Sequence, residues 1–110
     1  MSADSGKAAL KKLKPDAKDR YTRLFSAKDG TAASFRSGCV ILEPGENIGE
    51  HSTDAKEELL IILNGTGKLF LGKTSGIGLE KDSVAYIPPR TIHDIKNTGE
   101  EALRYVFVTS

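Results

Sequence analysis

The feature that most constrains this chain is how often it must turn. From Tyr21 onward, turn-forming residues recur every few residues to a dozen, and the apolar runs between them are short. "SFRSGCVILEPG" reads as a strand closed by Pro44-Gly45, and "SVAYIPP" as one stopped by two prolines. "TIHDIKN" alternates, "NTGEE" turns the chain, and "ALRYVFVTS" supplies a last strand. "EELLIILNGTGKLFLG" joins two apolar runs through Asn64-Gly65, whose left-handed preference predicts a tight hairpin. "KTSGIGLEKD" reads as a turn-rich connection. No long helical pattern appears in this region, so the spacing predicts an all-β sandwich or barrel. Residues 1–20 differ. "KAALKKLKPDAKDR" sets Ala9, Leu10 and Leu13 at loosely helical spacing with Pro15 as a breaker, which predicts an N-terminal arm or short helix ahead of a β domain over 21–110.

Composition removes several classes. The 110 residues suit one domain with a modest core. Sixteen basic against fifteen acidic residues leave a formal charge of +1, so no strong field draws nucleic acid or a membrane surface. Lys7, Lys11, Lys12 and Lys14 read as a solvated face. No apolar stretch approaches the roughly 20 residues of a membrane span. The N-terminus lacks the apolar core of a signal peptide. Cys39 is the single cysteine, which precludes an intrachain disulfide and Cys-rich zinc motifs and reads as a small buried apolar residue. A cytoplasmic protein is expected.

The polar residues beside the apolar run raise the functional question. A buried carboxylate is costly unless it is paired, hydrogen-bonded or bound to metal. Side chains alternate along a strand. Glu58 therefore shares a face with Leu60 and Ile62, and Glu57 with Leu59, Ile61 and Leu63. His93 falls with Ile95 and Asn97. The chain has two histidines, His51 and His93, each next to a strand that reads as central. Two histidines and one glutamate suit catalytic zinc or non-haem iron(II), with positions left open for water or substrate. By spacing alone, two lone histidines 42 positions apart are more often solvated or hydrogen-bonded than ligating.

Gly45-x5-His51-x-Thr53-x4-Glu58-x6-Gly65 resembles the first motif of the cupin family, and Pro88-x-Arg90-x2-His93-x3-Asn97 resembles the second. The two occur in the right order across Gly45–Asn97, and flanking strands extend the match to about residues 30–110. The resemblance implies a double-stranded β-helix, or jelly-roll barrel. It also implies that His51, Glu58 and His93 point into the barrel and hold a divalent metal (zinc, iron, manganese or nickel), with Pro88 and Asn97 as structural members. Three residues depart from the pattern. Thr53 replaces a second histidine, as a water-holding neighbour or a space filler. Asp82 replaces a glycine in a surface turn. Arg90 replaces another glycine, which predicts a turn of different form, because arginine is strained at positive φ. Arg90 and Tyr86 are candidates to line the pocket, and Glu50, Glu57 and Asp94 are candidate general bases by proximity in sequence.

The resemblance leaves three functions open: a metal-dependent enzyme on a small molecule (dioxygenation, isomerisation or related chemistry), a metal-poor small-molecule-binding module, and a regulatory barrel without catalysis. It also implies a homodimer, for which Leu59, Ile61 and Leu63 offer an apolar face; cover by the N-terminal segment is the competing role for that face.

Overall fold

The computed structural model describes residues 6–73 and 75–110. Their strands are β1 (Tyr21–Ser26), β2 (Arg36–Leu42), β3 (His51–Ser52), β4 (Glu58–Asn64), β5 (Thr66–Leu71), β6 (Ile77–Glu80), β7 (Val84–Ile87), β8 (Ile92–Asn97) and β9 (Leu103–Thr109). They form two antiparallel sheets, ordered β1-β2-β9-β4-β7 and β3-β8-β5-β6. Leu42, Leu60, Ile62, Ile87, Leu103 and Tyr105 from the first sheet meet Leu69, Leu79 and Ile95 from the second in one apolar core. This is the layered arrangement of a jelly roll. The two motif segments are neighbours, with β3 on β8 and β4 on β7.

Alternation fixes which side chains enter the core. Along β4, Leu60 and Ile62 are buried while Leu59 is exposed. His93, Ile95 and Asn97 of β8 are all buried. Successive rows cross the first sheet. One runs Arg36, Thr109, Glu58, Ile87, and the next contains Gly38, Phe107 and Leu60.

The hairpin predicted at Asn64-Gly65 does not form. β4 pairs with β7 and β9, β5 pairs with β6 and β8, and the two runs lie in opposite sheets. Gly65, at φ 85°, turns the chain across a corner. A Cβ there would sit within 3.0 Å of the backbone of Ala102 and Leu103. The Asn64 side chain donates to Ala102 O at 3.2 Å. The corner lets two apolar runs face each other across the core, where a hairpin would have left them edge to edge. The "KTSGIGLEKD" connection contains β6, a short strand at the edge of the second sheet.

The arm forms no helix over residues 6–20; the part of that expectation on residues 1–5 lies outside the described residues. Isolated helices this short are marginal, and Pro15 interrupts this one. The arm instead lies against the outer side of β1 and β2, where Leu13 and Ala17 line a cleft with Leu24, Cys39 and Ile41. Lys11 pins it, donating to Leu24 O at 2.7 Å with its ammonium 5.2 Å from the Phe25 ring centre. Cys39 is buried, and burial pushes its thiol up.

Asn97 holds the barrel's closed end. Its Nδ2 donates to Leu42 O (2.8 Å) and Glu101 O (2.7 Å), and its Oδ1 accepts from Gly99 N (2.9 Å). Arg90 corrects the sequence reading. Its φ is 54°, so arginine occupies the left-handed conformation that the motif usually gives to glycine. Asp82 does the same at 68°.

Asn97→Ala should cost roughly 2–4 kcal/mol, because buried carbonyls lose their donor. Gly65→Ala should cost more than about 2 kcal/mol, since backbone closes the space. Arg90→Gly should stay within about 1 kcal/mol of wild type, relieved strain offsetting added unfolded-state freedom. Denaturant midpoints at constant slope measure all three.

Candidate metal centre

β3 is only two residues long, yet its register matters. His51 pairs directly with His93 of β8, so both imidazoles leave the same face of the second sheet. Their ring centres are 4.2 Å apart, tilted by 58°. Glu58, the first residue of β4, reaches toward them from the facing sheet. One ligand atom from each of the three lies within 4.8 Å of the others. That span is slightly open for metal bonds of about 2.0–2.2 Å, and a small side-chain shift closes it.

The backbone chooses the tautomers. His51 Nδ1 lies 2.8 Å from Gly49 O and His93 Nδ1 lies 3.1 Å from Thr91 O. A carbonyl oxygen can only accept, so each Nδ1 carries the proton and each Nε2 keeps its lone pair. This is how metal-binding histidines are commonly held. Among the described residues, His93 Nε2 is buried without a hydrogen-bond partner. Glu58 Oε1 lies 3.9 Å from it, beyond hydrogen-bond reach. Burial pushes the Glu58 carboxyl up, opposed by its electrostatic interaction with His51 and Arg36. Burial also pushes His93 down. Both members of the pair are therefore driven toward neutrality, and they do not form an ion pair. A divalent cation would satisfy the orphaned nitrogen and neutralise the part-buried carboxylate together, so these residues fit the ion.

The other sequence candidates lie elsewhere. Thr53 is buried beside the site, but its hydroxyl donates to Pro88 O (2.7 Å) and accepts from Thr91 N (3.1 Å). It clamps the 88–91 turn, and its hydrogen-bonding capacity is largely spent there. Tyr86 is on the outer face, its hydroxyl donating to Glu57 Oε1 at 2.8 Å. That contact places Glu57 outside as well. Arg90 is an exposed turn residue whose N–H donates to Asp54 O. Glu50 is exposed. Asp94 faces away from the core, its Oδ1 accepting from Gly49 N (2.9 Å) and Ile95 N (2.8 Å) and its Oδ2 from Asn47 Nδ2 (3.0 Å). Neither Tyr86, Arg90 nor any of the three candidate bases lines the cavity beside the histidines.

That cavity, about 180 Å³, is bounded by His51, Glu58, Arg36, Tyr21, Tyr105 and Phe107 over apolar walls of Val40, Ile48 and Ile95. An adjoining cleft of about 310 Å³ shares Arg36, His51 and Glu58 and opens between the 52–56 loop and Thr109. A larger dish of about 690 Å³ lies at the far end of β4, around Asn64 and Gly99, away from both histidines. Arg36, Tyr21 and Tyr105 are the site residues that the sequence reading missed. The signal was alternation: with Leu42 and Val40 inside, Gly38 and Arg36 follow on the same face, and Tyr105 follows Leu103.

Glu58→Gln tests the buried charge. A carboxyl held above its unfolded value contributes stability in full below about pH 4, and that stability is lost as pH rises through the folded value. Chelator-treated Glu58→Gln should therefore melt a few degrees above wild type at pH 7, and the two should converge near pH 4. Thermal scans across pH provide the check.

Comparison with known proteins agrees with this architecture. A solved cupin domain of Cnp3 from Schizosaccharomyces pombe superposes with a TM-score of 0.73 at 24% identity, covering 82% of this chain and 62% of that one. An RmlC-like cupin family protein with a double-stranded β-helix fold from Methanocaldococcus jannaschii gives 0.73 at 19% identity, over 92% and 88%. Mannose-1-phosphate guanylyltransferase RfbM of Salmonella typhimurium is 31% identical over 72 residues; the match takes 66% of this chain but spans only 15% of that relative's length. Among the described residues no helix is long and apolar enough to cross a membrane. A family model described as a cupin domain matches residues 38–109, well over half the sequence, and the chain belongs to the cupin family.

Proposed function

We propose that His51, Glu58 and His93 bind a divalent metal ion and that the chain acts on a small molecule there. The observation that carries this reading is the buried, partnerless Nε2 of His93 facing the desolvated Glu58 carboxyl. Nitrogen and carboxylate donors together suit zinc, iron, manganese or nickel. Once bound, such an ion supplies Lewis acidity and open coordination positions. The chain's own residues do the rest. The Gly49 and Thr91 carbonyls aim the imidazoles, and the apolar walls keep the cavity dry. Tyr105 adds a neutral hydroxyl, since burial holds its proton well beyond the usual phenol range. Metal-dependent catalysis, as dioxygenation, isomerisation or related chemistry, is the function this arrangement supports best.

One observation favours a second reading, a metal-poor binding module. Thr53 stands where the family's first motif has another histidine, and its hydroxyl is engaged with Pro88 and Thr91. Metal titration separates the two. Wild type should gain about 2.7 kcal/mol of stability at a hundredfold excess over Kd, read as a rise in Tm with zinc or manganese. His93→Ala should lose most of that rise. Thr53→His should not restore a tighter site, because it breaks the clamp on the 88–91 turn. Wild type indifferent to every divalent metal would leave the binding-module reading standing.

The reading includes a cytoplasmic homodimer. The arm covers the outer face over β1 and β2 and reaches Arg104 at the start of β9. Leu59 (39% exposed), Val84 (64%) and Tyr86 (56%) remain open on the same face as Ile61, Val106 and Val108. A contiguous apolar face of this kind marks an interface. Sedimentation at micromolar concentration should show a dimer, and Ile61→Glu should shift it to monomer.

A further inference from the structure

The geometry points to a ligand bearing a carboxylate, held at the cavity mouth by Arg36. This rests on the proposal that the space beside His51, Glu58 and His93 is the functional site. Arg36 borders both the cavity and its entrance cleft, as do His51 and Glu58. It lies in the same inward row as Glu58, with only Thr109 of β9 between them. Yet it forms no ion pair among the described residues. Arg36 is exposed, and its guanidinium carbon lies 5.2 Å from the Phe107 ring centre, within cation–π range. Gly38 makes this possible, because a Cβ there would collide with the Tyr21 and Phe107 rings. An unpaired guanidinium is a fork matched to a planar carboxylate.

The interior adds two specifications. The Tyr105 hydroxyl has no protein hydrogen-bond partner among the described residues and borders the same cavity, so it is a free donor for a second oxygen of the ligand. The volume of about 180 Å³ equals roughly six waters at ~30 Å³ each, room enough for a small acid. Charge predicts coupling. With Glu58 ionised, Arg36 and Glu58 cancel and an anion gains little on entry. A divalent ion makes the pocket net positive, so metal and carboxylate should bind cooperatively.

Malonate is the probe, with malonamide as its neutral counterpart. Isothermal titration is run on wild type, Arg36→Gln and Arg36→Lys, each with manganese and each after chelator treatment, and circular dichroism confirms folding. Metal affinity is measured first and reports separately on the metal reading. In wild type, manganese should tighten malonate at least tenfold, and malonamide should bind at least tenfold more weakly. Arg36→Gln should weaken malonate at least tenfold while metal affinity changes less than about threefold, and Arg36→Lys should fall between. If manganese does not bind, the chelated arm decides: malonate binding lost in Arg36→Gln sustains the subsite without a metal. Malonate binding equal in wild type and Arg36→Gln, malonamide binding equal to malonate, or no malonate binding in either arm overturns the inference.

Discussion

Strand β9 pairs along its whole length with β2 on one side and along most of it with β4 on the other, and the rest of the molecule is arranged on that double ladder. It is the middle strand of the first sheet, and its inward residues Leu103, Tyr105 and Phe107 are all buried. The ladder fixes more than stability. A slip of one residue would send every inward side chain outward. Arg36, Thr109 and Glu58 share a row because β9 holds β2 and β4 in that register, so backbone hydrogen bonds set the spacing of the site's charged groups.

The second sheet contributes differently. Its share of the site is one short strand pairing, with His51 set against His93. The two sheets meet over the Glu58 carboxylate and the His93 imidazole, whose Nε2 has no hydrogen-bond partner among the described residues. A structure optimised for stability alone would fill that space with apolar side chains. Keeping Glu58 and His93 there leaves a locally unfavourable site, which is the usual signature of a place that binds something.

Much of this was legible from residue patterns. Alternation grouped Glu58 with Leu60 and Ile62, and His93 with Ile95 and Asn97, while which of the faces is internal came from the packing. The paired motifs named the fold. The hairpin failed because turn chemistry reports local conformation and cannot say whether the next strand returns to the same sheet; the backbone of Ala102, 37 residues beyond Gly65, makes that decision. Arg90 failed because strain was judged from one residue, whereas its N–H bond to Asp54 O and the Thr53 clamp hold the turn in place. Arg36 and Tyr105 were overlooked because neither belongs to a motif. Their importance depends on which face of β2 and β9 is internal, and only packing of the second sheet settles that.

Asp94 stands next to His93 in sequence but on the opposite side of the sheet. Through Gly49 N and Asn47 it steadies the loop whose carbonyl aims His51. A half-buried acid on the outer side of the sheet thereby steers the direction of the exposed His51 ring. On the proposed metal reading, a change at Asp94 would redirect His51 while His51, Glu58 and His93 all stayed the same, so divergence at such a site need not be written in the proposed ligands themselves.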